Sequence, residues 1–206
     1  DQNNGFLKVR VINDGIIRGG KGCNIPGIYF ENKELTKKDK KSLKWAIENN
    51  IKIISQSFVE NKRDIDHIRK YICEINGDLK SIKLLSKIET NLGVDNFKEI
   101  IRYSDGIIIA RGDLIPECGL INSVDKEFDL LLKVKKYEKE KEVIIATHIL
   151  DNMRKGIIPN INELESIYTF VNLGVTGLLL ASETSIGNYP VKSVEMLKML
   201  INLYKK

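Results

Sequence analysis

Cysteine is scarce and badly placed for pairing. Cys23, Cys73 and Cys118 stand far apart, with no Cys-X-X-Cys spacing and no histidine pair beside them. Neither a zinc site nor a disulfide framework is indicated. Long apolar stretches are also missing: runs such as 143–146 and 177–181 fall far short of the roughly 20 residues a membrane span needs. No signal peptide is expected, and the setting reads as reducing and cytoplasmic. Charge of one sign does not accumulate either. Against 28 acidic residues there are 33 Lys and Arg, a net +5, and the lysines are scattered between acids. That leaves no polybasic arm and no aromatic-basic platform, so a nucleic-acid partner is not expected. What the 206 residues do have is 42% hydrophobic content, ample for one buried core at this length.

Five short runs share one design, β-branched and aliphatic residues that end in polar ones: IKIISQSF (51–58), IKLLSKIE (82–89), GIIIARGD (106–113), VIIATH (143–148) and GLLLASET (177–184). Near-continuous apolar strands suit a parallel sheet covered on both faces. Helical patterns lie between them. TKKDKKSLKWAIENN offers Thr36 as N-cap and puts Leu43, Ala46 and Ile47 on one face. RDIDHIRKYICEI repeats the pattern with Ile65, Ile68 and Ile72, and FKEIIRY, FDLLLKVKKYEKE and VKSVEMLKMLINLYKK supply three more. Strand and helix alternating at about 25 to 35 residues argue for βαβ units, hence a doubly wound sheet or part of a (β/α)₈ barrel. The first 30 residues differ: LKVRVINDGIIRGGKGCNIPG alternates, is dense in glycine and reads as antiparallel β leading into a loop.

In either α/β architecture the ligand site lies at the carboxyl ends of the strands, where this chain keeps its polar groups. Lys87 and Glu89 are two apart and share a face on an extended strand, and Arg111 and Asp113 are expected to do likewise. Thr147 ends the fourth strand and Glu183 the fifth. Two carboxylates beside a lysine suit a hard cation such as Mg²⁺, which takes few protein oxygens and completes its shell with water and substrate. A structural ring of ion pairs at the sheet end is the alternative. His148 is a site-lining candidate, His67 a surface residue, and Trp45 and the three methionines packing groups.

KGCNIPG, LTKKDKKSLKWAIENN, SQSFVENKRDI, SKIETNLGVDNFKEII, SDGIIIARGDL, IIATHILDNM and ASETSIGNYPVKSV, in that order and spacing, resemble pyruvate kinase from about residue 8 to about 204. The resemblance implies a pyruvate-kinase-like phosphotransferase that moves a phosphoryl group from phosphoenolpyruvate to ADP with Mg²⁺ (or Mn²⁺) and K⁺. It implies Glu89 and Asp113 as metal ligands, and Lys87, Thr147 and Glu183 as catalytic groups. Ala110, Arg111 and Gly112 would form the turn that presents N–H groups to the substrate carboxylate, with Thr147 and Ser57 also lining the substrate. Lys21 would reach nucleotide phosphate. Residues 1–27 would end a lid domain and hinge, and residues 28–206 would form the C-terminal part of the catalytic barrel, in a homo-oligomer.

This chain also departs from the family pattern. Ala181, Ser182, Glu183 and Thr184 stand where the family has Ser-Gly-Glu-Thr, which removes the serine of a proton relay. His148 replaces a glutamine, Ile161 an arginine, Ile115 a glycine, and Glu60 an arginine. The Asn-Xaa-Ser-His-Gly and Asp-Thr motifs that hold K⁺ and more of the substrate do not occur here. Five barrel-type strands cannot close where eight are needed. The missing strands are therefore expected from the rest of a longer chain or from another chain, unless the sheet has reorganised as an open one. A degenerate relative acting as a binding or regulatory partner, and a lyase-type enzyme on a pyruvate-like substrate, stand as alternatives.

Overall fold

In a computed structural model, residues 9–17, 19, 23–27, 34–137 and 140–205 are described. Helix α1 (Lys37–Glu48) begins at Thr36, whose side chain accepts from the Asp39 N–H while Asp39 accepts from the Thr36 backbone, a complete capping box. Strand β1 (Ile53–Gln56) and helix α2 (Lys62–Glu74) follow, then β2 (Lys83–Ile88), α3 (Asn91–Asp95), α4 (Phe97–Tyr103) and β3 (Gly106–Ala110). The chain continues through α5 (Arg111–Cys118), α6 (Leu120–Tyr137), β4 (Glu142–Ala146), α7 (Ile161–Asn172), β5 (Gly177–Leu179), α8 (Ser182–Ser185) and α9 (Pro190–Tyr204).

The strands form one parallel sheet in the order β1-β2-β3-β4-β5, each beside its neighbour in sequence. Sequential order without a reversal distinguishes it from the doubly wound alternative, whose strand order turns back at a switch point. Register aligns the carboxyl ends: Gln56 pairs with Ser86, Ile88 with Ile109, Ala110 with Ala146, and Ala146 with Leu179.

Alternate strand residues divide between two environments. Leu84, Ile88, Ile107, Ile109, Val143 and Ile145 pack with helical residues including Ile65, Ile68, Ile72, Phe97, Leu130 and Phe170 in the main core. Full burial of one such side chain contributes about 1.5–3 kcal/mol, so this layer carries the fold. The opposite face has its own small cluster, Leu85, Ile108 and Ala146 with Ile144 against it. Toward the edges that face opens to solvent: Ile53 is 56% exposed and Leu179 43%.

Several expectations need correction. Arg111 and Asp113 do not extend β3; they lie in the first turn of α5, where a separation of two residues puts them on different sides. Likewise GLLLASET is strand only over its first three residues and turns into α8. Helix α7 has no counterpart among the expected helices, and α6 begins at Leu120 rather than near Phe128. Residues 9–17 carry no strand, and the rest of the expected antiparallel segment lies largely outside the described residues. Trp45, expected to pack, is 60% exposed. No helix among the described residues is long and apolar enough to cross a membrane.

Candidate active site

Glu89 follows β2 and is buried. Its Oε2 accepts the Phe58 N–H at 2.6 Å, from a residue held at a left-handed φ of +54°. The other oxygen, Oε1, lies 2.6 Å from the Lys87 ammonium, with which it forms an ion pair. Burial pushes the Glu89 carboxyl above its ordinary range, Lys87 and the Phe58 N–H pull it back, and the nearby charge of Asp113 raises it further. Lys87 also donates to Ser57 Oγ at 3.3 Å, because the β1–β2 register brings Ser57 alongside it. Thus Ser57, Lys87, Glu89 and Asp113 share one electrostatic neighbourhood, although Arg111 and Asp113 diverge.

A second cluster joins β4 to α5. Thr147 Oγ1 accepts the Gly112 N–H at 2.8 Å and donates to the Ala146 carbonyl at 2.6 Å. A Cβ on residue 112 would meet that hydroxyl at 3.4 Å, an ordinary contact, so the hydrogen bond does not depend on glycine. Arg111 reaches behind the turn, donating to the Thr147 carbonyl through Nε (3.0 Å) and Nη2 (2.6 Å) and to the His148 carbonyl through Nη2 (2.6 Å). Its guanidinium lies over the Phe170 ring, 5.2 Å from the centroid, and burial lowers its pKa. The guanidinium is therefore a strut for the β4 turn. Thr147 and His148 need that strut, since both sit at left-handed φ, +67° and +53°, a conformation that costs about 1–3 kcal/mol per non-glycine residue.

Glu183, expected with the catalytic groups, is buried and committed to backbone: Oε1 accepts the Leu150 N–H at 2.9 Å and Oε2 the Ala181 N–H at 2.8 Å. It ties the β4 loop to the β5 end. Lys21 lies outside the described residues. Sequence reading missed the contact between His148 Nδ1 and Asp151 Oδ2 at 2.5 Å, with Ser182 Oγ donating to Asp151 Oδ1 at 3.3 Å. The i, i+3 spacing of His148 and Asp151 was the available signal, but it points to a contact only once the strand is known to end at Ala146.

Glu89 Oε1 is sealed from water and already faces a cation, the Lys87 ammonium, and Asp113 adds a second carboxylate whose charge reaches it. Among the described residues no three metal-type side chains converge, so there is no all-protein cage. One or two carboxylates are the protein's usual share of a Mg²⁺ shell, the rest being water and ligand oxygens.

The family model described as pyruvate kinase, barrel domain, matches residues 1–194. A Methanocaldococcus jannaschii protein named Pyruvate kinase is 34% identical over 206 residues, covering 95% of this chain and 45% of its own length. The Encephalitozoon cuniculi Pyruvate kinase is 32% identical, with 97% of this chain and 44% of that one covered. For Pyruvate kinase 2 of Saccharomyces cerevisiae the values are 34%, 96% and 38%. The chain thus spans less than half the length of these curated relatives. With the family model running nearly end to end, the chain belongs to the pyruvate kinase family.

Proposed function

We propose that this chain forms the C-terminal part of a (β/α)₈ catalytic barrel, with residues 1–27 ending a lid domain and residues 28–206 in the barrel, and that the site transfers a phosphoryl group from phosphoenolpyruvate to ADP. The observation that carries the reading is the buried Glu89 carboxylate, which pairs with Lys87 at 2.6 Å and feels the charge of Asp113. Strand order β1 to β5 and the solvent-open edges of the inner face support an arc of a barrel whose remaining strands come from elsewhere.

Glu89 and Asp113 would hold Mg²⁺ or Mn²⁺, which when bound supplies charge neutralisation at the phosphoryl and enolate oxygens. The Lys87 ammonium, steadied by Ser57, adds the same stabilisation from the protein's side. Phosphoryl transfer needs positioning and charge more than covalent help. The start of α5, at Ala110, Arg111 and Gly112, would face the substrate carboxylate with its positive end, the Gly112 N–H being held by Thr147 at its flank. Lys21 would meet nucleotide phosphate. Glycolytic service in the cytoplasm as a homo-oligomer, with K⁺ held by residues outside this chain, completes the reading.

The test is pyruvate formation from phosphoenolpyruvate and ADP by the full-length natural product. The expected result is Mg²⁺-dependent turnover that Lys87→Ala lowers about 10²-fold or more. A well-folded full-length protein that forms no pyruvate would sink the proposal and favour a binding or regulatory relative.

A further inference from the structure

Turning an enol phosphate into a keto acid requires a proton at carbon as well as movement of the phosphoryl group. Two histidines occur among the described residues. His67 is on α2, while His148 follows Thr147 directly at the carboxyl end of β4. The His148 backbone is fixed on one side by Arg111, which donates to its carbonyl at 2.6 Å. Its ring is fixed on the other by Asp151, with Nδ1 and Oδ2 2.5 Å apart. Asp151 is itself held by the Ser182 hydroxyl at 3.3 Å. Donation from Nδ1–H to Asp151 leaves Nε2 as the free edge of the imidazole, the arrangement in which a carboxylate orients a histidine for proton transfer. The charged groups that contact this residue are Asp151, at the ring, and Arg111 on α5, at the backbone carbonyl; Glu127, Asp151 and Glu183 in turn act on Arg111. With its side chain 48% exposed, the ring can exchange protons with solvent.

We propose that His148, oriented by Asp151 and Ser182, delivers the proton to the enolate carbon at this site; the inference rests on the phosphoenolpyruvate reading above. The phosphoryl group leaves the enol oxygen as its new bond to the ADP oxygen forms. The enolate oxygen then becomes the carbonyl, and the carbon–carbon π pair takes the Nε2 proton of the His148 imidazolium, which keeps its Nδ1–H on Asp151 and is left neutral. The neutral imidazole regains a proton from water, so one solvent proton is consumed per turnover. In reverse, neutral His148 removes a methyl proton from pyruvate. Asp151 acts as a positioning residue.

The experiment follows exchange of the pyruvate methyl protons in D₂O with MgCl₂, by proton NMR, in the full-length protein, alongside pyruvate formation from phosphoenolpyruvate. His148→Gln is expected to slow exchange about 10²-fold or more with the KM for pyruvate within about twofold, and added imidazole to restore exchange in His148→Ala. Asp151→Asn should slow exchange about tenfold, again through kcat rather than KM, and it decides the matter if the His148 variants do not fold. Exchange by folded His148→Gln within about threefold of the unsubstituted protein overturns the proposal, as does unchanged exchange in Asp151→Asn should that variant have to decide. A parent protein that neither exchanges the methyl protons nor forms pyruvate overturns the phosphoenolpyruvate reading itself. Turnover that survives with His148→Gln unchanged overturns only the role of His148.

Discussion

The Thr147 hydroxyl accepts the Gly112 N–H at 2.8 Å, so a side chain at the end of β4 sets the first turn of α5. Ala110, the N-cap of that helix, makes no side-chain cap of its own. A helix start left uncapped by its own sequence keeps N–H groups for other acceptors. Thr147 takes one of them and Arg111 braces the same turn from behind. The geometry of this helix start is thereby set by two neighbouring βα units.

Thr147→Val keeps the branched shape and the backbone preference but removes the oxygen. Loss of one hydrogen bond of this kind is worth about 1 kcal/mol, so the expected outcome is a five- to tenfold rise, roughly, in KM for phosphoenolpyruvate and a modest fall in Tm. Thr147→Ser, which retains the oxygen, should stay near the parent in KM. Steady-state kinetics of both variants check the point, and equal KM values for Ser and Val would remove the hydroxyl from substrate positioning.

Metal binding has a thermodynamic readout that does not need turnover. At Mg²⁺ near 100 times its Kd the folded state should gain about 2.7 kcal/mol, equivalent to roughly 5–10 °C in Tm for a chain of this size. Glu89→Gln combined with Asp113→Asn is expected to erase that shift while the protein still melts cooperatively. A Mg²⁺ shift that persists in the double variant would place the cation elsewhere.

The sheet and most of its helices were legible because each rests on a strong local signal: runs such as Ile107–Ile109, the Thr36 N-cap, and the Ile65, Ile68, Ile72 stripe. The site was legible only as residue types at strand ends. Lys87, Ser57 and Glu89 lie together because their strand geometry is regular and the β1–β2 register is in step. The misreadings fall where the chain leaves the strand. At Arg111 and again at Ser182 an apolar run passes straight into a helix, and a period of two cannot be carried across that change. Nothing local marks Arg111 as a strut, since its acceptors are carbonyls 36 and 37 residues away. Helix α7 opens with an Asn160–Glu163 capping box, a signal present in the sequence but overlooked behind the altered family block.

Glu183 offers a test of structural against chemical work. Its carboxylate holds two backbone N–H groups, of Leu150 and Ala181, and hydrogen bonds to charged groups are worth about 1.5–3 kcal/mol each. Glu183→Ala is therefore expected to cost about 3 kcal/mol in urea unfolding. Glu183→Gln, which keeps one good acceptor, should cost about half as much. If Glu183 acts mainly by tying the loops, kcat of folded Glu183→Gln will fall far less than that of Lys87→Ala. A kcat collapse at nearly unchanged stability would instead assign it to the chemistry.

Glu127 lies on α6, 4% exposed, with Oε1 sealed from water and unpartnered, and with Arg111 as the neighbouring charge. Burial raises the proton affinity of its carboxyl, and the attraction of Arg111 only partly offsets that rise. A carboxyl whose folded pKa exceeds its unfolded value makes the folded state bind more protons. Its contribution to stability is fully present below the unfolded value near 4.3 and is lost as pH rises through the raised folded value. Glu127→Gln is similar in shape and never ionises, so it escapes that loss. Relative to the parent, the Gln variant should gain stability as pH rises from about 4 to about 7, where the parent carries a buried charge. Thermal melts of the two proteins across that window provide the comparison. Parallel Tm curves would mean that Glu127 is ionised without penalty, with Arg111 compensating in full.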